Sequence, residues 1–406
     1  MKVFLKLNNN VWGFLGQVSY RCKFFLPQLQ FRYPSRKSHV RRQRAIPASV
    51  PFPCQAEVSW GRSPERPTSV HKLRPGDIDV VAAIGDSLVA GSGALEEFAL
   101  GAFVEYRGVS WCAGGDATWR EYLTLPNILK EFNPNLRGYS TGTGEWLTRN
   151  AKFNVAFPVA SDEDALKQAR VSSQLYILTY LNDWKMITVF IGANDLCSAS
   201  CLNPVSWSPA AHAKKLAKAL DYLQKHLPRT IVNLVPVLDV SVSIRVLRPM
   251  MCRLMHSLFC TCFHHQGGNE LYDLVRMARL YQKHMEPPQI DSGRYEQRED
   301  FTVLVQPFMR LFNAPMPPTG PLPLVIHQSY ITHDCFHFSQ KGHALAANLL
   351  WNNLLEPVGN KSDNVPPVLL RSFRCPSRAA PFLFTARNSR HFLRTGRQDG
   401  ADDVTP

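Results

Sequence analysis

The chain has no run of eighteen apolar residues among its 406 positions, which is the length a helix needs to cross a bilayer. We therefore expect no membrane-spanning helix. An internal repeat, the signature of solenoids and propellers, is also missing. Cys260–His265 contains the residue types that bind zinc, but its spacing fits no common structural zinc pattern. We therefore expect no metal.

Acidic residues are missing from the first fifty positions, which carry ten lysines and arginines. Residues 366–406 hold seven arginines and three aspartates, whereas residues 51–365 hold 29 basic and 29 acidic residues. The net charge of +14 therefore belongs to the two ends of the chain. A nucleic-acid-binding domain would itself be basic, so we expect no nucleic-acid partner. The basic ends are either solvated tails or contacts for anionic lipid headgroups.

The most informative local pattern is a buried strand followed by a serine. Residues 78–84 form an apolar run, and Gly85–Leu88 reads Gly-Asp-Ser-Leu. An apolar run bounded by glycine predicts a buried strand, and open α/β sheets bind ligands beyond the carboxyl ends of their strands. Ser87 is thus a candidate nucleophile, although the four residues alone are equally typical of a simple turn.

An aspartate and a histidine three positions apart stand far downstream, at Asp334 and His337. A serine hydroxyl is a weak nucleophile and needs an adjacent base. An imidazole held in one tautomer by a carboxylate meets that need. The alternative for this tetrapeptide alone is a capping aspartate beside a surface histidine.

Two further segments offer donors for a developing oxyanion. One contains Gly114 and Gly115 before an aspartate, and the other places Asn194 beyond the apolar run 187–191. A glycine N–H and an asparagine amide are suited to stabilise the charge on a substrate carbonyl oxygen. Taken singly, both segments are also typical of ordinary turns.

In this order, the four segments resemble the GDSL, or SGNH, hydrolases, and within them a single repeat unit of the membrane-associated phospholipase B type. The similarity covers roughly residues 52 to 390 and includes connecting segments. These segments are 68–78, 125–134, 183–185, 298–301, 334–342, 351–359, 375–377 and 381–384.

The resemblance implies an α/β fold, a three-layer α/β/α sandwich with a mostly parallel central sheet. It implies Ser87 as nucleophile, with Asp334 and His337 completing a triad. It also implies an oxyanion hole made by the N–H groups of Ser87 and Gly115 and the side chain of Asn194. Gly115 is preferred over Gly114 because related enzymes use the glycine directly before an aspartate. Substrate preference is left open by three departures from the usual family residues, which are Val89, Cys112 and Ala193.

Three regions are predicted. Residues 1–50 form a basic, disordered segment, residues 51–365 the catalytic domain, and residues 366–406 a C-terminal extension that is flexible at its end. The first region resembles a transit peptide in composition, whereas the remainder resembles a secreted enzyme. We interpret it as an incomplete or mis-joined start that lacks the true signal sequence.

Ten cysteines favour an oxidising compartment, so we expect a secreted protein or one at the extracellular face of the plasma membrane. Cys54 and Cys375 flank the domain and could join its ends. Short loops could be closed by Cys197 with Cys201, or by Cys252 with Cys260 or Cys262. Cys335 is expected to be buried or disulfide-bonded, and His343 to be a packed or capping histidine.

The expected function is hydrolysis of phospholipid and lysophospholipid acyl esters through an acyl-enzyme, without a cofactor and at a membrane surface. Two alternatives remain. One is a carbohydrate or short-chain esterase of the same family, and the other is a catalytically silent lipid-binding repeat.

Overall fold

The computed structural model describes residues 38–177, 180–246, 248–263, 270–285, 293–315, 327–364, 368–370 and 372–401. The chain divides into a unit that ends at Val40 and a unit from Arg41 to Pro406. The fold described below is that of the second unit. His264 and His265, as well as most of the proline-rich segment 314–323, lie outside the described residues.

The centre of the fold is a parallel sheet of four strands, in the order β1 (Val80–Gly85), β2 (Lys185–Phe190), β3 (Thr230–Leu234) and β4 (Phe301–Val305). Val80 pairs with Lys185, Lys185 with Thr230, and Thr230 with Phe301. Isolated bridges from Arg137 and Asn154 extend the sheet beyond β1. Nearly every strand residue is buried, as expected of a parallel sheet covered on both faces.

The helices of the described residues surround this sheet. They are α1 (Ser87–Ala90), α2 (Leu125–Phe132), α3 (Ala165–Ile177), α4 (Pro209–His226), α5 (Val242–Arg245), α6 (Met250–Phe259), α7 (Glu270–His284), α8 (Gln340–Leu354) and α9 (Ala386–Thr395). Short 3₁₀ turns connect several of them, including Ala99–Phe103, Asp162–Asp164, Pro307–Phe312 and Gln328–Tyr330.

Alternation along the strands produces two cores. In β1, Val80, Ala82 and Ile84 pack in the core that contains α3 and α4. Val81 and Ala83 point the other way, into the core that contains α2 and α8. Helices therefore cover both faces of the sheet, and the expected three-layer α/β/α sandwich is confirmed.

Local sequence signals explain where the longer helices begin. Ser208 caps α4 by accepting the N–H of Ala211, and Pro209 follows in the first turn, where its missing N–H costs nothing. Ser339 caps α8 through the N–H of Gly342. The apolar patterns of residues 208–227 and 342–355 predict two helices, and both are confirmed within one or two residues.

One strand is shorter than its sequence pattern predicts. The apolar pattern predicts a strand over 231–240, whereas β3 ends at Leu234. Pro236 follows almost at once, and because proline has no N–H it cannot continue a ladder in the interior of a sheet.

The segment after residue 365 contributes to the main core. Leu383 is fully buried there, its N–H donates to the carbonyl oxygen of Leu73, and α9 follows. The predicted domain boundaries remain predictions. Within the described ranges, no helix reaches both the length and the apolar character that crossing a bilayer requires.

Four disulfides are present in the described part of the chain. Cys54 bonds Cys375, which confirms that these cysteines join the ends of the domain. The short-loop pairings are wrong: Cys197 bonds Cys260, Cys201 bonds Cys262, and Cys252 bonds Cys335. Sequence proximity fails here because the fold brings segments together across 61 to 83 positions. Cys112 is buried and free.

We predict that the Cys54→Ala/Cys375→Ala variant loses about 2–5 kcal/mol of unfolding free energy, because this crosslink closes a loop of 321 positions in the unfolded chain. Denaturant unfolding would measure the loss. Cys112→Ala is the control, since it removes a buried thiol without removing a crosslink, and should cost about 1 kcal/mol. Equal stability of the double variant and the wild-type protein would contradict the prediction.

Candidate active site

Ser87 lies where β1 ends and α1 begins. The preceding residue, Asp86, caps this short helix, and its Oδ1 accepts the N–H of Leu88 at 2.9 Å. Burial raises the pKa of the Asp86 carboxyl to about 7, although the N–H of Leu88, the charge of His337 and the N–H of Ala193 oppose the rise. The cap therefore holds the serine at the carboxyl edge of the sheet.

Gly85 makes this sharp turn sterically possible. A Cβ at this position would lie 2.5 Å from the carbonyl oxygen of Phe190 and equally close to the side chain of Val89. The Gln168 side chain holds the same residue from both sides, accepting its N–H at 2.9 Å and donating to its carbonyl oxygen at 2.8 Å. The backbone under the serine is consequently rigid.

The structure brings Ser87, His337 and Asp334 together across 250 positions of sequence. The Nε2 atom of His337 lies 2.7 Å from the Ser87 Oγ atom, and its Nδ1 atom lies 2.5 Å from Asp334 Oδ2. An imidazole that donates from Nδ1 to a carboxylate presents Nε2 as an acceptor to the serine hydroxyl. This geometry suits removal of the serine proton.

The Asp334 carboxylate is buried but well supported. Its Oδ1 atom accepts the N–H of Phe336 at 2.9 Å, the N–H of His337 at 3.1 Å and the hydroxyl of Thr332. Burial alone would raise the pKa of Asp334, but the charge of His337 and these hydrogen bonds outweigh it and hold that pKa well below its usual range. Asp334 therefore stays ionised and steadies the imidazole.

The same pair sets the charge of the histidine. Burial alone would lower the pKa of His337, but the Asp334 carboxylate and its hydrogen bond act more strongly, and Asp86 adds to them. The pKa of His337 is therefore raised above its ordinary value of about 6.5.

Asn194 follows β2. It lies beside Asp86, the cap of the turn that holds Ser87, since the N–H of the adjacent Ala193 is close enough to lower the pKa of the Asp86 carboxyl. The Asn194 Nδ2 atom donates one hydrogen to the carbonyl oxygen of Ala160 at 2.9 Å. A primary amide carries two such hydrogens. The second N–H is therefore left for another acceptor, while the first fixes the orientation of the amide.

Gly115 is buried, and its single N–H donates to the carbonyl oxygen of Ser140 at 2.8 Å. The N–H of Gly114 likewise donates to Ser110 at 2.8 Å. A Cβ at Gly115 would lie 2.1 Å from the ring of Tyr139, so the position accepts only glycine without rearrangement. The expected role of Gly115 as an oxyanion donor would require that it exchange the bond to Ser140, and it stays a prediction.

A buried polar cluster supports the asparagine from behind, and the sequence patterns do not indicate it. Asp195 accepts the N–H of Asp162 at 3.2 Å, next to the Ala160 carbonyl that holds Asn194. Asp162 in turn contacts His212 Nδ1 at 3.2 Å and accepts from Lys215 Nζ at 2.8 Å. Burial, followed by the charge of Asp162, raises the pKa of Asp195. The cluster thus fixes the segment that orients Asn194.

Two groups of described residues have the types that hold metal ions. Asp162, Asp195 and His212 have potential ligand atoms within 4.8 Å of one another, but the Lys215 ammonium already neutralises Asp162. In the other group, Cys54 and Cys375 are bonded to each other and offer no thiolate. Both donor sets are better explained by these internal partners than by a metal.

The remaining candidates are accounted for by packing. Cys260 and Cys262 are disulfide-bonded. Cys335 is disulfide-bonded too, which confirms the expectation that it is either buried or disulfide-bonded. His343 is buried and accepts the N–H of Trp111 at 3.3 Å, which confirms a packed histidine. Burial lowers the pKa of His343 to about 3.

Sequence reasoning missed two groups in the site. Thr332 supports Asp334 from two positions away, and a threonine at that spacing from an aspartate is a usable local signal. His212 has no such signal, because its partner Asp162 is fifty positions distant.

Comparison with known proteins assigns the chain to a family. Residues 81–350 match the sequence model of the family described as GDSL-like Lipase/Acylhydrolase. The chain is 43% identical over 334 residues to "Phospholipase B1, membrane-associated" of Mus musculus. The aligned residues cover 80% of this chain and 22% of that protein. It is 41% identical over 384 residues to the protein of that name from Homo sapiens, covering 91% of this chain and 25% of that protein. The chain thus spans about a quarter of the length of these relatives. The resemblance of the sequence patterns is confirmed, and the chain belongs to the GDSL-like lipase/acylhydrolase family.

Proposed function

We propose that this protein is a serine hydrolase that cleaves acyl esters of phospholipids and lysophospholipids. The observation that carries the proposal is the hydrogen-bonded series from Ser87 through His337 to Asp334. The substrate class rests on the relatives, whose name is phospholipase B1. The disulfides and the words "membrane-associated" in that name support action outside the cell at a membrane.

The first half of the reaction forms an acyl-enzyme. His337 Nε2 takes the proton of Ser87 as its Oγ atom attacks the ester carbonyl carbon, and the C=O electron pair moves onto the carbonyl oxygen. The free N–H of the Asn194 amide and the N–H of Ser87 stabilise that oxyanion. When the C–O bond breaks, His337 returns its proton to the departing alcohol oxygen, and the acyl group stays on Ser87.

The second half reverses these roles with water. His337 takes a proton from water, whose oxygen attacks the acyl carbon, and then returns the proton to Ser87 Oγ as the fatty acid leaves. Every proton transfer uses the same imidazole, so the steps need no metal and no redox cofactor.

The aligned triad supports catalysis over the alternative of a silent lipid-binding repeat. Lysophospholipid, a monomeric short-chain ester and an acetylated sugar, offered in parallel, separate the enzyme alternatives. Preference for the lysophospholipid supports the proposal, whereas turnover of only the sugar ester would replace it.

We expect Ser87→Ala to lower kcat by roughly 10⁴-fold or more, because the nucleophile is lost. Turnover of a soluble chromogenic ester would measure this. Ser172→Ala is the matched control: Ser172 is a fully buried serine on α3 whose hydroxyl has no partner among the described residues, so its loss should leave turnover unchanged. Near-wild-type activity of Ser87→Ala would remove Ser87 from the mechanism.

Asn194→Ala should lower kcat by about 10²–10³-fold with a smaller change in KM, as expected when a donor acts mainly in the transition state. Steady-state kinetics on the same ester would separate the two constants. Asn360→Ala, at an exposed position, serves as the control. A raised KM with unchanged kcat would make Asn194 a ground-state binding residue instead.

The pH dependence follows from the charge of His337. Catalysis needs its neutral form, and its raised pKa places the acid limb of kcat/KM above pH 6.5 or so. Asp86→Asn keeps an oxygen for the cap but removes a negative charge that favours the imidazolium. The limb should therefore move to lower pH, by up to about one unit. Asp399→Asn, at an exposed carboxylate, should leave the profile unchanged. A shift of the Asp86→Asn limb to higher pH would contradict this account.

A further inference from the structure

Helix α6 carries apolar side chains on its outer face as well as on its buried face. Cys252, Met255 and His256 are buried on one side. On the other side, Met250, Leu254 and Leu258 are 72%, 49% and 66% exposed. Apolar side chains on the outer face of a helix are normally covered by another surface. The outward face therefore has the composition of a contact surface.

A second apolar group continues this face. Phe98, Leu100 and Phe103, in and beside the turn Ala99–Phe103, are 48%, 54% and 44% exposed. The ring of Phe103 packs edge-on against that of Phe259, with centroids 6.0 Å apart. We call the combined surface the apolar rim. It consists of Phe98, Leu100, Phe103, Met250, Leu254 and Leu258.

The apolar rim borders the catalytic segments. Cys252 on α6 is bonded to Cys335, which lies between the two acid-base residues of the triad. His256 Nε2 lies 3.1 Å from the carbonyl oxygen of Asp334. At the end of α6, Cys260 is bonded to Cys197, three positions after Asn194.

These crosslinks also explain how the apolar face stays outward. Withdrawing exposed apolar side chains from water lowers the free energy. A helix that was free to rotate would therefore turn these side chains towards the protein. Crosslinks to Cys335 and Cys197 hold α6 at its first turn and just beyond its last.

On the α6 side of the apolar rim the charge has one sign, whereas on the side of Phe98 the exposed Glu97 is paired with Arg42. No acidic residue occurs between Ser241 and Asn269, whereas Arg248 and the exposed Arg253 lie before and within α6. A surface with an apolar interior and phosphate groups at its boundary complements this combination of exposed apolar side chains and arginine.

We propose that the apolar rim docks the enzyme on a phospholipid surface, with Met250, Leu254 and Leu258 inserted among the acyl chains and Arg253 at the phosphates. The proposal rests on the proposed function, because docking there brings Ser87 to the layer that holds the ester bonds. It identifies the lipid aggregate, rather than a second protein, as the occupant of this face.

Binding can be tested apart from catalysis in the Ser87→Ala background. Sedimentation with phosphatidylcholine vesicles that contain a minority of phosphatidylglycerol measures partitioning. Met250→Ser/Leu254→Ser/Leu258→Ser should lower partitioning by about tenfold or more, since each inserted apolar side chain contributes a factor of several. Leu393→Ser is the matched control. Leu393 is 55% exposed on the arginine-rich α9, which bonds through Arg387 to Glu299 at the amino end of the sheet.

In the active enzyme, the triple variant should lose hydrolysis of vesicle phospholipid by a similar factor. A monomeric short-chain ester is cleaved without vesicle binding. The triple variant should turn it over within about threefold of the wild-type rate, which would show that the variant is folded. If the wild-type enzyme failed to cleave that ester, the proposed function would fail, but the partitioning arm would still decide the docking proposal.

Three results would overturn docking by the apolar rim. The first is unchanged partitioning of the folded triple variant. The second is an equal loss in Leu393→Ser, which would place the contact on α9. The third is a change of oligomeric state in sedimentation velocity without a change in partitioning, which would make the face an interface between copies of the chain.

Discussion

The site depends on one constraint, namely that all four strands of the sheet run in the same direction. In a parallel sheet, every segment that follows a strand emerges at the same edge. Ser87 follows β1 and Asn194 follows β2, so the proposed nucleophile and the proposed oxyanion donor, more than a hundred positions apart in sequence, come to the same end of the sheet. His337 comes from a different source, the loop just before α8, which packs on one face of the sheet.

This edge concentrates buried acids, and each is balanced in its own way. The charge of His337 and several hydrogen bonds stabilise the ionised form of Asp334, so this carboxylate remains charged. Asp86 has only a partly satisfied carboxyl, and burial raises its pKa towards neutrality. Asp162 is paired with Lys215, while the neighbouring Asp195 bears the raised pKa. An unbalanced buried charge would be costly. These partners therefore let the protein keep one carboxylate ionised where the imidazole needs it.

Rigidity is distributed unevenly around the site. Gln168 holds the nucleophile turn through both backbone groups of Gly85, and Ala160 holds the amide of Asn194. The loop of Asp334 is supported by Thr332 and by the disulfide of Cys335. Preorganised donors and acceptors of this kind need little rearrangement during the reaction. The same disulfide joins this loop to Cys252 on α6. One crosslink therefore holds both the loop of Asp334 and the α6 part of the apolar rim.

The sequence alone was enough to predict those structural features that depend only on neighbouring residues. The apolar run before Ser87 predicts β1, and Ser208 with Pro209 predicts the start of α4, because strands and helix caps depend on neighbouring residues. The order of Ser87, Asn194, Asp334 and His337 indicates the family and the candidate site through resemblance. The cysteine partners, the cluster of Asp162 with His212 and Lys215, and the bond from Gly115 to Ser140 came only from the tertiary structure. These contacts join segments far apart in sequence, and which segments meet is set by packing on the sheet rather than by any local pattern.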